Sequence, residues 1–184
     1  PPLFFHPVRP AEDPVPRPSA GPVKKVTGGL FAGDRFILER TPALPWCHVL
    51  AGERFGTLVS DTAPGFTFAE NCRENKLTPW YNDTRTDNRG EMLLIKIKGK
   101  IFDLIRGSRV SYSPGDALYE GQTEGFRTAV RVEVKGMAKR ITLEIDRREE
   151  MGLQDLPVEL AYYTEPVLGV SRAGARCIQA RWDK

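Results

Sequence analysis

Apolar and polar residues alternate in short runs along most of this chain, the period-two pattern of strands with one face buried. Leu30-Phe31 and Arg35-Phe36-Ile37-Leu38-Glu39 flank the turn residues Ala32-Gly33-Asp34 and predict a hairpin. Cys47 to Ala51 and Phe55 to Ser60 predict a second pair around Gly52-Glu53-Arg54. After the Pro-Gly turn Asp61–Gly65, Phe66 to Glu70 alternates again, with Phe66 and Phe68 on one face. Met92 to Phe102 reads as a hairpin bent at Gly99, with Leu93, Ile95, Ile97 and Ile101 opposite Lys96, Lys98 and Lys100. That lysine stripe is expected to be a solvated edge that blocks unwanted strand pairing, rather than an anion site.

Ser113-Pro114-Gly115-Asp116 is another turn. Beyond it, Phe126–Val134 and Lys139–Asp146 predict a long hairpin, with Val130, Val132 and Val134 facing one way. Only Arg147 to Leu156 has helical character, and Pro157–Tyr163 and Cys177–Trp182 read as closing strands. Roughly ten or more short strands separated by turns predict an all-β, two-sheet sandwich over residues 26–184. Residues 1–25 hold eight of the fifteen prolines and predict an extended tail or linker.

Composition narrows the classes. The 184 residues suffice for one domain with a sound core, and 27 basic against 24 acidic side chains leave a net charge of only +3. That balance argues against nucleic acid as a partner. No apolar run approaches the ~18–20 residues of a membrane helix, so no membrane partner is expected. Three cysteines without a Cys-x-x-Cys spacing and two histidines predict neither a disulfide framework nor a metal centre, and no cofactor. Reduced thiols fit a cytoplasmic location.

The densest chemistry lies between Asn71 and Asp83: three Asn amides, one guanidinium, two carboxylates and an indole. Such a mixture is poor core material, because each buried polar group without a partner costs about 1–3 kcal/mol. It suits an ordered loop or a surface for hydroxyl-rich ligands, and Pro79 forces Thr78 out of helical geometry. Asn71, Arg73, Glu74, Asn75, Asn82 and Asp83 can bond sugar hydroxyls, and Trp80, Tyr81 and Trp46 can stack on sugar rings. For most of the loop, however, an internal role is preferred, with Trp80 plugging the sandwich end and the polar side chains tying the loop to its neighbours. Asp87 and Glu91 support the same stretch. As general acids, Glu70, Glu74, Asp83 and Asp87 are each close in sequence to an arginine, which favours ion pairing and ionised carboxylates. His48 beside Cys47 on a strand points to the opposite face, which argues against a Cys–His pair.

Pro45-Trp46, Arg54 to Ser60, Gly65 to Phe68, Asn71 to Asp83, Asp87 and Gly90-Glu91 together resemble the N-terminal domain of glycoside hydrolase family 94. Leu168 to Arg172 resembles a later segment of that domain. The likeness is dense from Leu44 to Glu91, thinner to Arg172 and absent before Val26. It departs where Glu124-Gly125-Phe126 stands in place of a longer insertion with a His-Gly pair. The resemblance implies a galactose-mutarotase-like supersandwich in a glycoside phosphorylase or cyclic β-1,2-glucan synthase. There the catalytic acid and phosphate site belong to a following (α/α)6 barrel. This chain alone is therefore expected to be non-catalytic, with β-linked glucan or oligosaccharide and a catalytic barrel as partners. A complete small enzyme using Glu70, Glu74, Asp83 or Asp87 is the second reading, and a homodimerisation module the third.

Overall fold

The computed structural model describes residues 5–11, 23–39, 41–81, 89–123, 125–147, 157–171 and 178. The helical stretch expected after Arg147, the segment Glu124 and nearly all of the closing strand Cys177–Trp182 lie outside them.

The described residues hold strands and no helix, as the alternating pattern requires. One sheet joins four strands in the order β1 (Phe5–Pro7), β10 (Lys100–Asp103), β9 (Glu91–Ile97) and β15 (Val158–Thr164). The largest runs β14 (Ala138–Arg147), β13 (Phe126–Lys135), β12 (Asp116–Gln122), β11 (Arg109–Tyr112), β5 (Arg35–Leu38), β4 (Gly29–Ala32), β3 (Val23–Val26), with β2 (Arg9–Pro10) also paired to β12. The third is β6 (Cys47–Ala51), β7 (Phe55–Ser60) and β8 (Phe66–Ala69). All pairings are antiparallel except β1 with β10.

Side chains of all three sheets meet in one core. Leu50 and Val59 come from the small sheet, Leu93, Ile95 and Ile97 from β9, and Tyr119, Val130 and Val132 from the large sheet. Three sheets that share one core, with no helix among the described residues, make the fold an all-β sandwich. The predicted hairpins β4–β5, β6–β7, β9–β10 and β13–β14 form in the expected places.

Three findings differ from the sequence reading. Lys96 lies on β9 and Lys100 on β10, both inner strands of their sheet, and exposed Lys98 lies in the turn between them, so the three do not line a sheet edge. Lys96 pairs instead with Glu159 of β15 at 2.8 Å. Strands β1 and β2 lie within the stretch read as an extended tail. The backbone is extended there, but Val8 between them is 3% exposed and packs in the core. Strand β12 was not foreseen and is buried over its whole length. Its Asp116 is paired by both Arg35 and Arg131, which offsets the cost of removing a carboxylate from water.

Candidate functional site

The chain leaves β8 at Ala69, and Glu70 turns it sharply with a φ of 60°. It then folds back on itself. Asn71 Oδ1 accepts the amide hydrogens of Arg73 at 2.8 Å and Glu74 at 3.0 Å, a side-chain-capped turn. Asn75 N donates to Asn71 O, and Asn75 O receives Ala69 N. Leu77 N and Thr78 N both donate to Thr67 O, while Thr67 N donates to Thr78 Oγ1 at 2.7 Å. The returning chain thus runs beside β8. Its other side takes Gly169 N on Lys76 O and Val167 N on Leu77 O, so residues 76–78 stitch β8 to the segment after β15.

The seam is locked from below by Glu91. Its side chain is almost wholly buried, and each carboxylate oxygen has two partners. Oε1 accepts Thr67 Oγ1 at 2.6 Å and Thr78 Oγ1 at 2.7 Å. Oε2 accepts the Tyr162 hydroxyl at 2.5 Å and pairs with Lys139 Nζ. Lys139 also donates to Pro64 O. One carboxylate thereby ties β8, β9, β14, β15 and the returning loop. Burial lowers the Lys139 ammonium pKa against the opposing pull of Glu91, and burial followed by Glu91's charge pushes the Tyr162 hydroxyl well above the usual phenol range. A Cβ on Gly90 would come within 2.7 Å of Pro79 Cδ, so the Gly90-Glu91 pair lets the loop close down on β9.

The aromatic residues sit above this lock. Trp80 stacks on Phe66 with ring centroids 5.4 Å apart and 13° between planes, and remains 47% exposed. Tyr81 donates to Glu165 at 3.0 Å. Trp46 stacks on Phe36 with centroids 5.5 Å apart. Its main chain is clamped by Asp61, which accepts Trp46 N at 2.8 Å, and by the Tyr112 hydroxyl, which donates to Trp46 O at 2.9 Å. Trp46 lines an open aromatic groove of about 630 Å3 with Phe31, Phe36, His48 and Tyr112. The lining of that groove includes no residue of the Asn71–Tyr81 loop.

The predicted site residues therefore divide. Asn71 serves the backbone of its own turn, and Glu91 serves the core. Arg73, Glu74 and Asn75 are exposed at the tip, where Arg73 and Glu74 approach at 3.4 Å. Glu70 pairs with exposed Arg54, whose guanidinium pKa is raised by that hydrogen bond. Asn82, Asp83 and Asp87 lie outside the described residues. Cys47 is exposed, whereas His48 stacks on Tyr112 and its Nε2 lies 2.7 Å from Ser113 O. Sequence reasoning missed Thr67, Thr78, Lys139 and Tyr162 as the partners of Glu91. An acidic residue opening a strand whose next four residues are all apolar is the signal that a buried partner is needed.

A family model described as glycosyl hydrolase 94, supersandwich domain, matches residues 35–183, from the first residue of β5 onward. The cyclic beta-(1,2)-glucan synthase NdvB of Rhizobium meliloti (strain 1021) is 28% identical over 160 residues. That alignment covers 79% of this chain and 6% of the synthase, so the chain spans a small part of its relative's length.

Proposed function

This chain belongs to the glycosyl hydrolase 94 supersandwich domain family, and we propose that it works as a non-catalytic module of a larger carbohydrate-active protein. Its tasks are to dock on a helical catalytic barrel and to contact β-linked glucan. The parent protein is a glycoside phosphorylase or a cyclic glucan synthase.

The fate of the motif carboxylates carries this reading. Glycoside cleavage needs two carboxyl groups facing each other across a cleft, one of them held protonated. Glu91 is enclosed and saturated by four partners. Glu70 and Glu74 are exposed and pair with Arg54 and Arg73, and neither faces a second carboxylate across a cleft among the described residues. What the motif builds is a stiff corner, with Trp80 half-exposed and Leu168 and Val170 exposed on the segment that Lys76 holds. An immobile aromatic side chain with apolar neighbours suits docking, because little conformational entropy is lost on association.

The test has two arms. The chain alone, given cello- and β-1,2-gluco-oligosaccharides with and without phosphate, should release neither glucose nor glucose phosphate; release would overturn the non-catalytic reading. Calorimetric titration with the same oligosaccharides should register binding. Silence at millimolar sugar would leave docking alone.

A further inference from the structure

A recess of about 240 Å3 opens where the three sheets meet, away from the Asn71–Tyr81 loop, no residue of which lines it. Its floor is apolar, from Leu38 at the end of β5 and Val110 of β11, both buried. Asp61, itself buried, lines it together with Thr62, Ser108 and the exposed Arg106.

Each of these lining groups stands on a fixed support. Asp61 accepts Trp46 N, and Ser60 Oγ accepts the amides of Thr62 at 3.3 Å and Ala63 at 3.1 Å. Across the opening, Asp103 is paired with Arg89, and its Oδ1 accepts the amides of Ile105 at 3.1 Å and Arg106 at 3.2 Å. Ser108 Oγ donates to Leu104 O at 2.8 Å. Gly107, at a φ of 87°, presses this turn against the N-terminal segment, where a Cβ would lie 2.3 Å from Val8 O.

We propose that this recess binds one neutral pyranose ring, the terminal glucosyl unit of a β-linked glucan. Asp61 and Arg106 together lend the recess no net charge, so it selects neither a simple cation nor a simple anion. A pyranose has the complementary character: C–H faces for Leu38 and Val110, and hydroxyls that accept from Arg106 and bond with Thr62. The volume is below the ~300–1,000 Å3 of drug-sized sites, which restricts the occupant to a single ring. The proposal rests on the glucan contact proposed above and locates it.

Methyl β-glucoside and a β-1,2-linked glucobiose titrated into the full chain, followed by calorimetry and by amide chemical shifts, test this. Arg106→Ala and Thr62→Val, checked for folding by near-ultraviolet circular dichroism, should each weaken binding, Arg106→Ala by about tenfold. Trp80→Ala should leave it unchanged, and perturbed amides should cluster at 61–62 and 106–110. Equal affinity in Arg106→Ala and Thr62→Val overturns the proposal. If Trp80→Ala alone abolishes binding, the glucan contact stands but belongs to the docking corner. Tighter binding of a small zwitterion such as glycine than of the glucoside reassigns the recess and overturns it too. No response to any sugar removes both this site and the glucan contact, leaving barrel docking intact.

Discussion

Lys139 of β14 and Glu91 of β9 form an ion pair in which the two side chains retain 7% and 1% of their exposure. The pair bridges the large sheet and the four-stranded sheet, and two threonine hydroxyls and one phenol complete the carboxylate's coordination. Removing one member strands the other charge. Lys139→Met should therefore lower stability by about 3–5 kcal/mol, read as a shift of the urea midpoint. Lys96→Met, which breaks the exposed pair with Glu159, should cost less than ~1 kcal/mol. Comparable losses for the two variants would refute the assignment of Glu91 as the lock.

Tyr162 gives the lock an alkaline limit. Its hydroxyl pKa is raised in the folded state by burial and by Glu91, so folding holds a proton that the unfolded chain releases near pH ~10. The stabilisation is complete below that value and falls as pH climbs above it. Lys139 has the opposite sign: its pKa is lowered, so its contribution rises with pH until the unfolded lysine loses its proton near ~10.4. Comparing Tyr162→Phe with the parent isolates the phenol. The variant's denaturation midpoint should decline less steeply above pH ~10, and the parent should show one more phenol that ionises only on unfolding than the variant does.

Asn71 separates a fold role from a ligand role. Its amide oxygen caps the turn through Arg73 N and Glu74 N. Asn71→Ala should cost about 1 kcal/mol, while Asn71→Asp keeps the acceptor and most of the stability. Sugar affinity should be the same in all three proteins. A loss of affinity without a loss of stability would make Asn71 a ligand after all.

Trp80 should behave in the opposite way. Half-exposed and stacked on Phe66, it contributes about 1 kcal/mol to folding beyond the area it buries. Trp80→Ala should weaken association with a family 94 catalytic barrel by about tenfold, measured by calorimetry on separately produced parts. Unchanged association would remove Trp80 from the docking surface.

What the sequence disclosed follows from how many faces of a strand are buried. Strands β13 and β14 were legible because β14 is an edge with alternating exposure, so the period of two survives in its residues. Strand β12 is buried on both faces; Asp116 at its start reads with the preceding turn, and Glu120 and Gln122 interrupt the apolar run. Burying Asp116 depends on Arg35 of β5 and Arg131 of β13, which local patterning cannot supply. The motif region was recognisable as a family feature, yet its internal logic was hidden. Glu91 reaches Lys139 and Tyr162 across separations of 48 and 71 residues, and no window of the sequence spans those distances.

Strand β1 pairs with residues 101–103, and β2 with residues 121–122. On a ribosome, those first two strands emerge about a hundred residues before the surfaces they seal. Until the later segments arrive, Val8 has no core to enter and the upstream chain must wait unpaired. Such distant closures slow folding and prolong the exposure of unsatisfied backbone. A chaperone's hold on this N-terminal stretch during synthesis would protect the module at its most vulnerable stage.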